Sequence, residues 1–60
     1  MKLILERFKH VENGFVIKVT TCNPRIATTI NETTGEEIKF NRPKLEYMIN
    51  KKIFIKLEGE

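Results

Sequence analysis

Apolar and polar residues alternate along most of this 60-residue chain, and only residues 41–50 break the alternation for longer than a turn. A period of two is typical of β-strands that bury one face. Within the exceptional segment, Leu45, Met48 and Ile49 are spaced as on one face of a helix. The pattern therefore predicts a mainly β domain that contains one short helix.

The first two predicted strands form an antiparallel hairpin. Asn13 and Gly14 lie between apolar stretches, and both residue types tolerate the positive φ that tight hairpin turns require. The second strand covers residues 15–22, and Pro24 ends it because proline has no N–H to donate to a sheet. The residues of this strand that we predict to face the core are Phe15, Ile17 and Val19.

Alternation also sets the predicted orientation of the later strands, which cover residues 25–31, residues 37–41 and the segment from residue 53. We expect Lys56 to point away from the core, because it is out of phase with the aliphatic residues around it. Phe54 has the same phase, and for it two placements stay open, one on the outward face and one packed under the helix. The residues that we predict to face the core are Ile26, Thr28, Ile30, Ile38, Phe40, Ile53, Ile55 and Leu57.

The predicted helix has sequence signals at both ends. Asn41 is a suitable N-cap, and Pro43 fits the first turn, where its missing N–H is not needed. Asn50 is expected to end the helix in the left-handed conformation, and Lys51 and Lys52 suit the negative end of the helix dipole. Two helical turns are not stable alone in water, so we expect the helix to pack over an open end of the sheet.

The order of elements is β-β-β-β-short helix-β, which is typical of a small five-stranded antiparallel barrel of the SH3-like kind. We expect residues 1–60 to form this barrel as a single domain. An OB-like barrel also has five strands, but its helix usually lies between the third and fourth strands and its chain is longer. Architecture of this kind does not by itself indicate a function.

The composition argues against catalysis and against a bound metal. Cys22 is the only cysteine and His10 the only histidine, and the chain contains neither Asp nor Ser. One cysteine and one histidine cannot supply the three or four ligands that a zinc site needs. We expect His10 to be an ordinary surface histidine, because it lies near a strand end beside a hairpin. The sequence therefore predicts a protein that is not an enzyme and has no cofactor.

The chain shows features of a bacterial or phage protein of the cytoplasm. A lone unpaired cysteine suits a reducing compartment. The N-terminal apolar run is too short for a signal peptide, and no run approaches the roughly 18 residues that span a bilayer. Lys, Ile and Asn have AT-rich codons, and their abundance favours a low-GC bacterium or its phage as the source.

One local resemblance bears on function. Residues 37–42, which lead into a helix with Leu45 and Ile49, resemble the strand-to-helix junction of the carbon-storage-regulator RNA-binding proteins. Residues 3–5 followed by Arg7 are similar to the start of those proteins. The middle of this chain is too short for their strand pattern, and a strand follows the helix, so the resemblance covers a minor part of the chain. It implies RNA binding as one expectation.

Two functions of different classes fit a chain without catalytic groups. We favour a protein-binding module, such as an adaptor, an inhibitor or a regulatory subunit, with Phe54 and Tyr47 as anchors. The alternative is binding of RNA or DNA through phosphates and a stacking ring, for which the formal net charge of +3 is small. Self-association through sheet edges stays open. The candidate binding residues are Lys18, Lys39, Lys56, Phe54, Arg42 and Tyr47, with the three lysines predicted on one basic sheet face.

Overall fold

The computed structural model describes residues 3–57, so residues 1–2 and 58–60 of the predicted domain lie outside the described part. The predicted order of elements is confirmed. The elements are β1 (Arg7–His10), β2 (Val16–Cys22), β3 (Ile26–Asn31), β4 (Glu37–Asn41), α1 (Arg42–Asn50) and β5 (Phe54–Leu57).

The five strands form one antiparallel sheet in the order β4-β3-β2-β1-β5. The predicted hairpin of β1 and β2 is confirmed, with Phe8 opposite Ile17. β5 returns to pair with β1 on the other side. Because β4 and β5 are the two edges of this sheet, the sheet is open, and a closed barrel is not confirmed.

The core lies on the concave side of the sheet, where α1 covers it. The ring centroids of Phe40 and Phe54 are 5.9 Å apart, although these residues belong to the two opposite edge strands. The sheet therefore curls far enough for side chains of its two edges to meet. The buried apolar side chains are those of Leu3, Phe8, Ile17, Val19, Ala27, Leu45 and Phe54.

The predicted orientation of β3 is wrong. Thr29 is fully buried, whereas Ile26 and Ile30 are each 38% exposed. The strand register gives the reason, because Thr29 lies opposite Val19 of β2, and Val19 points into the core. Burial of a hydroxyl is tolerated here because Thr29 Oγ1 donates a hydrogen bond to the Ile38 carbonyl at 2.8 Å.

The predicted orientation of β5 is also wrong. Phe54 is 1% exposed, while Ile55 is 48% exposed, so the strand has the opposite phase. Ile53 belongs to the turn that precedes the strand. An aromatic ring buries more surface than an isoleucine side chain, and the Phe54 ring completes an aromatic cluster on the core side. The other rings of this cluster are those of His10, Phe15 and Phe40.

The start of α1 follows the prediction. The Asn41 side chain caps the helix and accepts a hydrogen bond from the Lys44 backbone N–H at 3.4 Å. Pro43 lies in the first turn. Leu45 is fully buried and carries the packing of the helix on the sheet. A helix of this length is marginal alone, so this contact with the core keeps it folded.

The end of α1 differs from the prediction. Asn50 is the last helical residue, and the left-handed conformation falls on Lys52, with φ of 66°. The Lys52 N–H donates to the Ile49 carbonyl at 3.1 Å, and the Ile53 N–H donates to the Met48 carbonyl at 2.8 Å. These two bonds form a Schellman motif, in which the left-handed position is normally glycine. A lysine there costs about 1–2 kcal/mol in backbone strain.

Candidate functional site

The strand register aligns one residue from each strand in a row on the face of the sheet opposite the core. Each member of this row is the Cα partner of the next one across the sheet. The neighbours of these residues along the chain, such as Phe8, Ile17 and Thr29, are buried, so the row itself points outward. From β4 to β5, the row consists of Glu37, Ile30, Lys18, Arg7 and Leu57.

Neighbouring positions extend this row into a mixed basic and aliphatic surface. Lys9 lies opposite Val16 on one side and Ile55 on the other. Lys39 lies opposite Thr28. We call this surface the outer face, and it consists of Arg7, Lys9, Val16, Lys18, Ile26, Thr28, Ile30, Glu37, Lys39, Ile55 and Leu57.

An ion pair partly neutralises the centre of the outer face. Arg7 Nη2 lies 2.7 Å from Glu32 Oε1, and Arg7 Nε donates to Glu32 Oε2 at 3.1 Å. The hydrogen bonds and the charge of Arg7, together with the charge of Lys18, hold the pKa of Glu32 below its ordinary value. Glu32 follows β3, and its N–H donates to the Val16 carbonyl at 2.8 Å. The carboxylate is thereby fixed beside the basic residues.

Aliphatic side chains are exposed toward both edges of the outer face. On β3, Ile26 and Ile30 are both partly exposed, and at the other edge Ile55 is 48% exposed. A shallow cavity of about 220 Å³ lies at that second edge. The residues that line it are Lys9, Val11, Ile55 and Leu57. Aliphatic surface interleaved with ammonium groups can pack against an apolar partner that also carries carboxylates.

The sequence predicts that three lysines share one basic face, and this prediction is wrong for one of them. Lys18 and Lys39 do lie on the outer face. Lys56 lies opposite Phe8, on the core side of the sheet, and its Nζ is 3.2 Å from Glu6 Oε1. Phe54 shares this orientation and is buried, so it cannot anchor a partner at the surface. Both errors have one cause, which is the inverted phase of β5.

The remaining two candidates lie on α1, away from the outer face. Arg42 Nε donates to Glu46 Oε2 at 3.0 Å, and its Nη1 donates to the Asn23 carbonyl at 3.3 Å. Arg42 therefore ties the start of the helix to the loop between β2 and β3. Tyr47 is 57% exposed, and Lys51 Nζ lies 5.7 Å from its ring centroid. The six predicted residues thus do not form one site.

His10 is not the surface residue that the sequence predicts, because it is half-buried. Its ring stacks on Phe15 with centroids 5.0 Å apart, and it meets Phe54 edge-on at 5.1 Å. His10 Nδ1 accepts a hydrogen bond from the Asn13 backbone N–H at 3.1 Å. His10 has the same phase along β1 as the buried Phe8, which explains its inward orientation.

Two further observations concern other kinds of site. Within residues 3–57, no group of three or more His, Cys or acidic side chains is placed to hold a metal ion. Over the same residues, no helix has the length and apolar character needed to cross a membrane.

The outer face contains two exposed apolar candidates that sequence reasoning missed, namely Ile30 and Ile55. For Ile55 a signal was present, because the Phe54 ring is larger than the isoleucine side chains beside it and buries more surface when it points inward. Comparison of the chain with protein-family models, with curated proteins and with solved structures finds no match. The outer face is therefore the observation on which a function for this chain depends.

Proposed function

We propose that this chain is a non-enzymatic binding module that holds a protein partner on the outer face of its sheet. The observation that carries this proposal is the exposure of Ile26, Ile30 and Ile55 on one face of a structured sheet. Each of these side chains would lose contact with water when a partner packs on it, and apolar burial is the main source of free energy in association. An adaptor, an inhibitor or a regulatory subunit would act through such a face.

The charges of the outer face define the partner that would fit it. Lys9 and Lys39 are exposed on the outer face, and Lys18 is half-buried there. A partner that places carboxylates opposite these lysines, around an aliphatic centre, would be guided by charge and held by apolar contact. Arg7 is already engaged with Glu32, so we assign it a role in shaping the face rather than in binding.

Binding of RNA or DNA is the second candidate, and the basic residues of the outer face favour it. Sequence-tolerant binding of single strands uses aromatic rings on which bases stack. All four phenylalanines are buried or pack against the core, and the one tyrosine lies on α1. Glu32 also places a carboxylate near the centre of the face, where it would repel phosphates. We therefore rank this function below protein binding.

We further propose that the curled sheet is of the SH3-like kind. The return of β5 beside β1, the single short helix before β5 and the meeting of the two edge strands at Phe40 and Phe54 support this assignment. The register of β2 against β3 shifts between Val19 and Thr21, which allows the sheet to bend there. The free thiol of Cys22 supports placing the protein in a reducing compartment such as the cytoplasm.

Substitution of Ile30 by lysine separates the two candidate functions. Ile30→Lys removes apolar contact area from the outer face and adds a positive charge to it. Capture of a protein partner should fall about tenfold, as for loss of a moderate anchor residue, whereas binding of a nucleic acid should strengthen. The matched control is Tyr47→Ala, because Tyr47 is an exposed side chain on α1, away from the outer face.

The assay is capture from a lysate of the native source, followed by mass spectrometry and by staining for nucleic acid. Capture is performed after nuclease treatment and washed at about 0.5 M salt, which screens phosphate contacts. We expect one captured protein that Ile30→Lys loses and that Tyr47→Ala keeps. The proposal fails if capture disappears with nuclease and high salt, or if Ile30→Lys captures the same protein as the unmodified chain.

A further inference from the structure

β4 is an edge strand whose backbone presents hydrogen-bonding groups to solvent. The Asn31 N–H donates to the Glu36 carbonyl at 2.8 Å, which identifies this pair as a hydrogen-bonded pair of β3 and β4. Bonded and non-bonded pairs alternate in antiparallel sheets, so Ile38 bonds to β3 as well. Glu37 and Lys39 occupy the intervening pairs, and their N–H and C=O groups therefore point away from β3, toward the open edge.

This edge has few of the features that prevent pairing with another strand. The register between β3 and β4 is continuous over all five residues of β4. Glu37, Lys39 and Asn41 are all exposed, and β4 itself contains no proline. A regular edge without a bulge or a proline is a template for another strand, and its protection against pairing rests on the charges of Glu37 and Lys39.

The charges along β4 favour a second copy of the same strand as the occupant. Two identical strands can pair in antiparallel fashion around a two-fold axis, and the side chains that face each other depend on the residue at the axis. An axis at Glu37 or at Lys39 places like charges directly opposite each other, which is unfavourable. An axis at Ile38 places Glu37 of each copy opposite Lys39 of the other. In this register the outward N–H and C=O groups of both residues also face each other.

We propose that the chain forms a homodimer through β4, with an antiparallel register centred on Ile38. Two cross-strand ion pairs, Glu37 with the partner's Lys39 and Lys39 with the partner's Glu37, select this register over its neighbours. The two sheets then become continuous, and so do their outer faces. This inference depends on the edge of the sheet and is independent of the partner proposed above for the outer face.

Charge reversal at the edge tests the pairing. Lys39→Glu replaces both ion pairs by like-charge contacts and should weaken dimerisation about tenfold or more. The double variant Glu37→Lys with Lys39→Glu restores opposite charges in the same register and should recover the dimer. Lys44→Glu is the matched control, because it makes the same charge change on an exposed residue of α1. The dissociation constant is measured by sedimentation velocity from about 10 µM to 1 mM.

A proline variant tests the role of the backbone. The Lys39 N–H points to the open edge, so Lys39→Pro removes a donor that the monomer does not use in its own sheet. We expect this variant to keep the circular dichroism spectrum of the folded chain and to sediment as a monomer throughout the concentration range. If Lys39→Pro unfolds the chain, the charge-reversal series still decides the outcome, because it leaves the backbone unchanged.

Disulfide crosslinking tests the register itself. With the axis at Ile38, the two Ile38 residues form a non-hydrogen-bonded pair with Cα atoms about 4.5 Å apart, within the range that a disulfide bridges. Ile38→Cys in a Cys22→Ala background should therefore crosslink under mild oxidation. Lys39→Cys should not, because its two copies are separated by more than about 7 Å in this register.

Three results would overturn the proposal. The first is a chain that stays monomeric up to about 1 mM. The second is a dimer for which the single and double charge variants give the same dissociation constant. The third is crosslinking at position 39 in preference to position 38, which would show that a different pair of residues lies at the axis.

Discussion

Replacement of Phe54 by leucine tests the orientation of β5, on which both the core and the outer face depend. The Phe54 ring is 1% exposed and contacts the rings of His10, Phe15 and Phe40 with centroids 5.1–5.9 Å away. Aromatic pairs contribute about 0.5–1.5 kcal/mol beyond area burial, and shrinking a buried side chain leaves a cavity. We expect Phe54→Leu to lower the free energy of unfolding by about 2–3 kcal/mol. The total free energy of unfolding of a domain of 60 residues is about 3–9 kcal/mol.

The matched control is Ile55→Ala in the same strand, because Ile55 is 48% exposed on the outer face. Only part of its side chain is buried, so we expect a loss of about 1 kcal/mol or less. Both variants are measured by urea unfolding followed by circular dichroism. With a slope near 1 kcal/mol/M, Phe54→Leu should lower the midpoint by about 2–3 M and Ile55→Ala by about 1 M or less. If Ile55→Ala costs more than Phe54→Leu, the orientation of β5 described here is incorrect.

Three further predictions concern local features. Lys52→Gly relieves a left-handed lysine and should raise the melting temperature by about 4 °C in thermal circular dichroism, and a decrease would rule out strain at that position. Asn23→Ala removes an acceptor of two backbone hydrogen bonds at 2.7 and 2.8 Å and should cost about 1 kcal/mol in urea unfolding; an unchanged midpoint would contradict this. Because Arg7 lowers the pKa of Glu32, their pair stabilises the fold above the ordinary glutamate pKa of about 4.3 and is lost as the pH falls. The unmodified chain should therefore be more stable than Glu32→Gln at pH 7 and equally stable in acid, and a difference that persists or grows in acid would disprove this.

The local signals of the sequence predict the elements of this fold well. Asn13 and Gly14 favour a hairpin turn through their own backbone preferences, and Asn41 caps the helix by bonding to a residue three positions along the chain. The hairpin and the start of the helix are therefore visible without tertiary information. The end of the helix is harder to predict, because the bonds of Ile49 and Met48 to residues 52 and 53 move the left-handed position from Asn50 to Lys52.

The orientation of a strand depends on its pairing with neighbouring strands, which the alternation of residues along one strand does not reveal. The predicted orientations of β3 and β5 are wrong for this reason. In β3 the isoleucines are out of phase with the core, because the pairing with β2 puts Thr29 opposite Val19. From Ile53 to Leu57, every position except Lys56 is apolar, so alternation cannot determine which face of β5 is buried. Because the orientation of β5 was predicted wrongly, Phe54 was assigned to the outward surface as an anchor, and Lys56 was assigned to the basic face. The candidate site could therefore be predicted only in part, through Lys18 and Lys39.

The aromatic cluster around His10 provides a spectroscopic reporter of folding. A ring stacked face-on over an imidazole shields its protons through ring currents, and Phe15 lies over His10 with planes 18° apart. The chain has one histidine, so its imidazole resonances stand alone in a proton NMR spectrum. Their chemical shifts respond to two contacts of β1, one with Phe15, which precedes β2, and one with Phe54 of β5. Closure of the central sheet can thus be followed at one signal, without isotope labels or an added probe.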